Sequence, residues 1–154
     1  MNNVANFVDV VTAFDIEADS KAEAIKAVIT KLDAAGKLLD REKFQADVFA
    51  REAELPTYIG FGFGLPHSQS DYVKDATIGI GKLTHPVEWN DGKKADFIFL
   101  IAVPYGGKEN THLKILANLS RLLMHDDFRD KLRSTSETEV RDLLMASQNP
   151  HRSE

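Results

Sequence analysis

One glycine-rich stretch constrains this chain more than any other part of its sequence. It reads Gly60-Phe61-Gly62-Phe63-Gly64-Leu65-Pro66-His67 and alternates glycine with bulky apolar residues. Glycine at every second position predicts a buried strand with one face free of side chains, which another backbone or a ligand can approach closely. Pro66 has no N–H group and is expected to end that strand, so that His67 is held at a rigid strand edge.

Two interpretations of this stretch stay open at the level of sequence. In the first, His67 is a functional residue whose position is fixed by the glycines and the proline. In the second, the glycines serve close packing alone, and His67 is an ordinary turn histidine. Residue spacing does not separate the two.

The amino-acid composition limits which catalytic groups and which binding partners are possible. The chain has 154 residues, which fits one domain, and no cysteine, so covalent catalysis would use His, Ser, Thr, Lys, Tyr or a carboxylate. A net charge of −5 without a Lys/Arg cluster argues against a nucleic-acid partner. The longest apolar run, residues 97–103, is too short to cross a membrane, and the polar N-terminus lacks signal-peptide features. We therefore expect a cytoplasmic protein without membrane insertion.

Capping patterns predict the helices. Ser20 and Glu23 have capping-box spacing and predict a helix that ends at Gly36, and Asp40 caps a second helix that runs to Glu52. The longest helix is expected to begin at Asn110 or Thr111. A second Ser-x-x-Glu box, at residues 136–139, predicts a final helix, and residues 147–154 are expected to form a frayed tail.

Runs of β-branched and aromatic residues predict the strands. A first strand lies within residues 8–16, and residues 97–103, apolar on both alternating faces, predict a central strand covered on two sides. Residues 68–71 are interpreted as a polar loop. A strand over 76–83, a turn at His85-Pro86, a short piece over 87–89 and a turn at 90–92 complete the pattern. The predicted fold class is an α/β sandwich, with a mostly mixed sheet and helices on both faces.

Two of the five histidines are candidates for a site. His85, His125 and His151 are most simply surface residues, whereas His112 lies in the first turn of a helix just beyond the central strand. Ligands of open α/β sheets bind at that edge, and the free N–H groups of a helix N-terminus favour an anion. If His67 opens into the same crevice, two imidazoles and the hydroxyl groups of Thr111 and Ser68 suit a phosphoryl group.

Two other chemistries fit less well. A metal site could also use two histidines, but the sequence has no H-E-x-x-H motif, no thiolate and no carboxylate at tight spacing. A Ser-His-Asp hydrolase is disfavoured because no G-x-S-x-G motif is present. We therefore expect no metal and no cofactor.

Five blocks of residues carry a resemblance to a known family. They are Arg51-Glu52 with Pro56-Thr57, Gly64 to His67, and then residues 86–89, 101–104 and 111–116. In this order the chain resembles the fructose/mannitol-type IIA component (EIIA type 2) of the bacterial phosphoenolpyruvate-dependent sugar phosphotransferase system. The resemblance covers nearly the whole chain and implies a domain over residues 10–146, with an α/β sandwich built on a mixed five-stranded sheet.

The resemblance also implies a phosphohistidine relay. In that family, the histidine that closes the Gly-x-Pro-His block takes a phosphoryl group from the carrier protein HPr and passes it to a cysteine of a IIB component. This position is His67. The family's second active-site histidine falls on His112, and its arginine falls on Arg51, which is otherwise a helix-end surface cation. A phosphotransferase component of this kind would work beside a separate membrane IIC permease, with its oligomeric state left open.

A regulatory alternative accompanies the resemblance. Nitrogen-type modules of the same fold are phosphorylated at the same histidine but act by binding kinases or transporters. The chain also departs from the family pattern. Tyr58 stands where the family often has glycine, and Ser68-Gln69 replaces small or basic residues. These differences are expected to affect the cleft rim and partner choice more than the chemistry.

Overall fold

A computed structural model describes residues 8–105 and 111–147, and for residues 111–113 it describes the backbone alone. Within these residues the chain forms six strands and five helices. The strands are β1 (Asp9–Ile16), β2 (Tyr58–Gly60), β3 (Phe63–Gly64), β4 (His67–Ser70), β5 (Thr77–Asn90) and β6 (Lys93–Pro104). The helices are α1 (Lys21–Ala34), α2 (Arg41–Glu54), α3 (Thr111–Leu123), α4 (Asp126–Ser134) and α5 (Glu137–Ser147).

The strands form one mixed sheet in the order β1-β5-β6-β3-β2, and β4 also pairs with β6. β5 is parallel to β1 and antiparallel to β6, whereas β3 and β4 are both parallel to β6. The predicted fold class is confirmed, with six strands among the described residues where the resemblance implied five. β6 is central, as its two apolar faces predict.

The two faces of β6 pack into two cores. Ile98, Leu100 and Ala102 join the core formed with α1 and α2. Phe97, Phe99, Ile101 and Val103 join the core that α3, α4 and α5 cover on the opposite face. Helices therefore lie on both faces of the sheet, and none of those in the described residues is long and apolar enough to span a membrane.

The glycine-rich stretch is not the single strand that its alternation predicts. Gly60, Phe61 and Gly62 all have positive φ, at 100°, 58° and 86°, and form a tight turn between β2 and β3. Phe61 is 55% exposed at this turn instead of packing in the core. The predicted single bare strand is therefore wrong: it is broken at Phe61 and Gly62, because three consecutive left-handed residues, from Gly60 to Gly62, reverse the chain.

β3 and β4 lie end to end along β6, and the break between them falls at Leu65-Pro66. Phe63 and Gly64 pair with Phe97 and Ile98, and the register resumes where His67 pairs with Ile101. Pro66 interrupts the strand, as predicted, because it has no N–H to donate. The polar loop predicted over residues 68–71 is wrong, since residues 67–70 form β4 and pair with β6.

Several boundaries also differ from prediction. The strand, turn and short piece expected between residues 76 and 89 form one strand, β5, with a register shift between Lys82 and Val87. The turn at Asp91-Gly92 is confirmed by positive φ at both residues. Helix α3 has 13 residues and is shorter than α1 and α2, with 14 each, and α4 was not predicted. The expected cap at Asn110 and the tail beyond Ser147 lie outside the described residues.

Local capping signals place the other helices correctly. The Ser20 hydroxyl accepts the Glu23 N–H, and the Asp40 carboxylate accepts the Lys43 N–H. In the box before α5, the Ser136 hydroxyl accepts the N–H of Glu139, whose carboxylate accepts the N–H of Ser136. Each cap satisfies backbone donors that the helix leaves without partners.

Candidate functional site

An open cleft of about 730 Å³ lies between the C-terminal end of α2, the start of β4 and α3. The loop that follows α2 and the residue after β6 complete its walls. Its lining includes side chains from each of these elements: Asp47, Arg51, Glu54, Leu55, Thr57, His67, Ser68, Asp71, Tyr72, Tyr105 and Leu116. The cleft therefore brings together residues that are far apart in the sequence.

His67 is fixed in this cleft by the main chain. It is the first residue of β4, it is 7% exposed, and its backbone pairs with Ile101 of the central strand. Its Nδ1 lies 3.0 Å from the carbonyl oxygen of Leu65. A carbonyl can only accept, so Nδ1 carries a proton, and in the neutral ring the lone pair is on Nε2. Nε2 has no hydrogen-bond partner within the described part of the chain.

Arg51 lines the same cleft as His67. It lies in the last turn of α2 and is half-buried. Its guanidinium makes no hydrogen bond and no ion pair with any residue that the structure describes. A guanidinium offers five donors in a planar fork that matches phosphate and carboxylate oxygens. The arrangement leaves these donors available to an anion in the cleft.

The hydroxyl groups of β4 differ in their surroundings. Ser68 is 6% exposed, and its hydroxyl donates to the carbonyl of Gln69 at 3.2 Å. The Ser70 hydroxyl donates to Asp47 of α2 at 2.7 Å and accepts the N–H of Tyr72. This bond ties β4 to α2 and gives one of the acidic groups of the cleft a partner.

Glu52, to which the sequence analysis gave no role of its own, supports the loop after α2. Glu52 is 4% exposed and pairs with Lys21 of α1 at 2.8 Å. It also accepts the backbone N–H of Thr57 at 2.9 Å. The Arg51-Glu52 pair belonged to the resemblance, but nothing local signalled that Glu52 would be buried. Tyr58, the departure from the family pattern, instead holds the β2–β3 turn, where its hydroxyl donates to the Lys94 carbonyl and accepts the Gly62 N–H.

The remaining predicted residues lie at the start of α3 or outside the cleft. Helix α3 begins at Thr111, but the side chains of Thr111 and His112 lie outside the described residues. Position 112 precedes Leu116, a lining residue of the cleft, by one helical turn. His125 is the exposed N-cap of α4, not part of the cleft. Within the described ranges, no group of three His, Cys, Asp or Glu side chains could hold a metal ion.

The fold and the cleft define an α/β sandwich whose cleft is lined by a backbone-fixed histidine and by an arginine that has no partner among the described residues. The chain belongs to the family described as phosphoenolpyruvate-dependent sugar phosphotransferase system, EIIA 2, whose model matches residues 7–147. The chain is 37% identical to the fructose-specific EIIA component of Haloferax volcanii, over 81% of this chain and 82% of that protein. The expected family is therefore confirmed.

Two larger relatives contain a similar region. The chain is 36% identical to multiphosphoryl transfer protein 2 of Escherichia coli, over 76% of this chain but 14% of that protein. It is 35% identical to the fructose-specific EIIABC component of Bacillus subtilis, over 89% of this chain but 21% of that protein. The chain thus spans a small part of these two relatives.

Solved structures share the fold. The nitrogen regulatory protein IIA-Ntr of Neisseria meningitidis aligns with a TM-score of 0.75 and 26% identity, over 89% of this chain and 92% of that one. The IIA mannitol protein of Escherichia coli aligns with a TM-score of 0.71 and 21% identity, over 87% of this chain and 94% of that one. The second similarity concerns the fold alone.

Proposed function

We propose that this chain is a phosphoryl carrier of a sugar phosphotransferase system, which accepts a phosphoryl group from phospho-HPr on His67 and passes it to a cysteine of a IIB component. It would act in the cytoplasm through a domain over residues 10–146, together with a membrane IIC permease. The observation that carries the proposal is the Nδ1–H bond of His67 to the Leu65 carbonyl, which leaves Nε2 as the nucleophile in a cleft that Arg51 also lines.

The transfer requires little from the protein beyond alignment. As Nε2 attacks phosphorus, the bond from phosphorus to the donor atom of HPr breaks, and its electron pair stays on the donor. The proton on Nδ1 stays hydrogen-bonded to Leu65, so the ring does not turn when its charge changes. The Nε2–P bond breaks in turn when a thiolate of IIB attacks. Arg51 and His112 would balance the charge of the phosphoryl oxygens.

The hydroxyl groups near the cleft have a smaller role in this scheme. Ser68 lines the cleft beside His67, and Thr111 opens helix α3. We propose both as phosphate-binding residues, since hydroxyl and helix N-terminal N–H groups donate to phosphoryl oxygens. Neither role requires a metal ion or a cofactor.

The regulatory alternative is supported by one observation, the similarity to the nitrogen regulatory protein of Neisseria meningitidis. The fructose-specific EIIA component of Haloferax volcanii is more similar in sequence, at 37% against 26% identity. We therefore favour sugar transport. Neighbouring genes for IIB and IIC components would support transport, whereas neighbouring nitrogen-regulatory genes would support the alternative.

A phosphorylation assay tests the proposal. The protein is incubated with phosphoenolpyruvate, enzyme I and HPr, and its mass is measured before and after addition of a fructose-type IIB domain. We expect one added phosphoryl group, labile in acid and stable in base, which moves to IIB. A His67→Ala variant should gain none, with His85→Ala as the matched control. A His67→Ala protein that gains the same mass would refute the assignment.

A further inference from the structure

The carboxylate of Glu52 is buried at the junction of α1, α2 and the loop that follows α2. Its side chain is 5% exposed, and Lys21 Nζ lies 2.8 Å away. The same Nζ donates to the Trp89 carbonyl at 3.3 Å and lies 4.7 Å from the centre of the indole ring. A buried carboxylate destabilises a protein unless it is paired and fully hydrogen-bonded, so this side chain occupies a specifically built position.

Glu52 holds the loop beside the cleft through Thr57. One carboxylate oxygen accepts the Thr57 N–H at 2.9 Å, and the other lies 3.5 Å from the Thr57 hydroxyl. The carbonyl of the same threonine accepts two further bonds, from Leu65 N–H at 2.9 Å and from Trp89 Nε1 at 3.2 Å. The peptide groups on both sides of Thr57 are therefore fixed.

The chain of bonds continues to the imidazole ring. Leu65 donates its N–H to Thr57, and its own carbonyl accepts Nδ1–H of His67 at 3.0 Å. We propose that Glu52 is a positioning residue for His67, which acts through Thr57 and Leu65 to hold the ring in the Nδ1–H tautomer. This inference rests on the function proposed for His67, because it names the group that orients the nucleophile.

The position of Glu52 in helix α2 strengthens the argument. Arg51 precedes it directly, so the carboxylate that fixes the loop also anchors the turn of α2 that carries the guanidinium of Arg51. A carboxylate that served only to join α1 to α2 would need Lys21 and nothing more. The two contacts to Thr57 are the ones that lead toward the cleft, and they are the contacts to test.

A paired substitution separates positioning from stability. In a Lys21→Met/Glu52→Met variant both charges are gone and apolar side chains fill the space, which preserves the fold better than leaving one charge buried alone. The variant has no acceptor for Thr57. In Glu52→Gln, an amide oxygen can still accept the Thr57 N–H, although the ion pair is lost. This conservative variant should therefore melt at a lower temperature but keep His67 in place.

Two measurements follow His67 directly. Nitrogen NMR of the unphosphorylated protein reports the ring tautomer, with the His67 signal identified by its loss in His67→Ala. Emission from Trp89, the one tryptophan of the sequence, reports the surroundings of the indole ring, which both the Thr57 carbonyl and Lys21 contact. In the double variant we expect a mixture of tautomers, a shifted emission, and phosphoryl transfer from HPr that is slower by about ten- to a hundredfold. Glu52→Gln should be close to the wild type in its ring tautomer, its emission and its transfer rate.

The outcomes distinguish this inference from the proposed function. A double variant that keeps the pure Nδ1–H tautomer overturns the positioning role at any transfer rate, and so does a mixed tautomer with an unaltered rate. A wild-type protein that gains no phosphoryl group refutes the proposed function instead. In that case the NMR measurement still decides whether Glu52 orients His67.

Discussion

The indole ring of Trp89 occupies the space that a side chain on Gly64 would need. A Cβ built on Gly64 would lie 2.6 Å from both Cε2 and Cζ2 of the ring. The same ring donates Nε1–H to the Thr57 carbonyl at 3.2 Å. The glycine spacing predicted close approach by a backbone or a ligand, and at Gly64 the approaching group is a side chain of the protein itself.

Substitution of Gly64 by alanine should therefore destabilise the protein. The added methyl group forces the Trp89 ring to move, and overpacking of this kind costs about 1–3 kcal/mol in the free energy of unfolding. Because Trp89 contacts Thr57, the tryptophan emission should shift as well. Thermal unfolding and fluorescence of Gly64→Ala measure both effects.

Gly79 provides a matched control on β5. A Cβ there would lie 2.7 Å from Val28, so Gly79→Ala should also melt at a lower temperature. Its neighbours are aliphatic, and the Trp89 emission should stay as in the wild type. A Gly64→Ala protein that unfolds at the wild-type temperature would show that the indole ring moves aside freely.

Local signals predicted those parts of the fold that local interactions form. The caps at Ser20, Asp40 and Ser136 each depend on residues within one helical turn. The central strand β6 was recognisable because both of its faces are apolar. These predictions required no knowledge of distant partners.

The wrong predictions concern segments whose structure depends on contacts with residues far away in the sequence. Ser70 is fully buried in β4, because its hydroxyl finds Asp47 in another element, and no periodicity within residues 67–70 indicates that bond. The alternation of glycine and apolar residues continues through Phe61 in the sequence and predicts a strand there. In the structure Phe61 lies in a turn, and Arg133 of the distant helix α4 donates a hydrogen bond to its carbonyl. A strand pattern and a tight glycine turn share the same local composition.

The site was predictable only in part for the same reason. The Pro-His block suggested that His67 is held rigidly, and the structure shows the backbone bond that holds it. The ion pair of Glu52 with Lys21 joins two helices, so it has no signature within either helix sequence. The residues that support a site are thus harder to predict than the residues that form it.

Asp9 should make the stability of the protein depend on pH in the acid range. Burial acts to raise the pKa of Asp9, but hydrogen bonds from Lys37 and the Val10 N–H, with the charges of Lys37 and Arg141, outweigh it and lower the pKa. A carboxyl group with a lower pKa in the folded state stabilises the fold above its unfolded-state pKa, near 4. This contribution is lost as the pH falls through the folded-state value.

An Asp9→Asn variant tests this contribution. At pH 7 it should be less stable than the wild type by under about 1 kcal/mol, since Asp9 is partly exposed and solvent screens its pairs. The difference should vanish in acid, below the folded-state pKa. Asp33→Asn, at an exposed position of α1 with no ion pair to any residue that the structure describes, is the control and should follow the wild type throughout. A difference that persists unchanged in acid would contradict the assignment.

His112 is predicted to stabilise the phosphoryl group without accepting it. Helix α3 reaches the cleft at Leu116, and position 112 lies one turn before it. His112→Ala should still accept one phosphoryl group from HPr on His67, but should deliver it to IIB more slowly by about tenfold or more, because charge balance in the transition state is impaired. Quench-flow measurement of both half-reactions checks this. If His112→Ala accepts the phosphoryl group from HPr and delivers it to IIB at unaltered rates, His112 is not part of the site. His125→Ala is the control and should react at the wild-type rates.

Arg51 is predicted to serve phosphoryl transfer more than folding. Its guanidinium has no partner among the described residues, so Arg51→Ala removes no ion pair with any of them and should change the free energy of unfolding by less than about 1 kcal/mol. Transfer should fall by roughly a hundredfold, as when a donor to a developing anionic charge is removed. Arg51→Lys keeps the charge but not the planar fork, and should recover only part of the rate.

Arg41→Ala, at the exposed N-terminal end of the same helix, is the matched control and should transfer normally. If Arg51→Ala transfers at the wild-type rate, or loses stability while Arg51→Lys restores it, the arginine is a structural cation of α2, and the anion-binding role must lie elsewhere in the cleft.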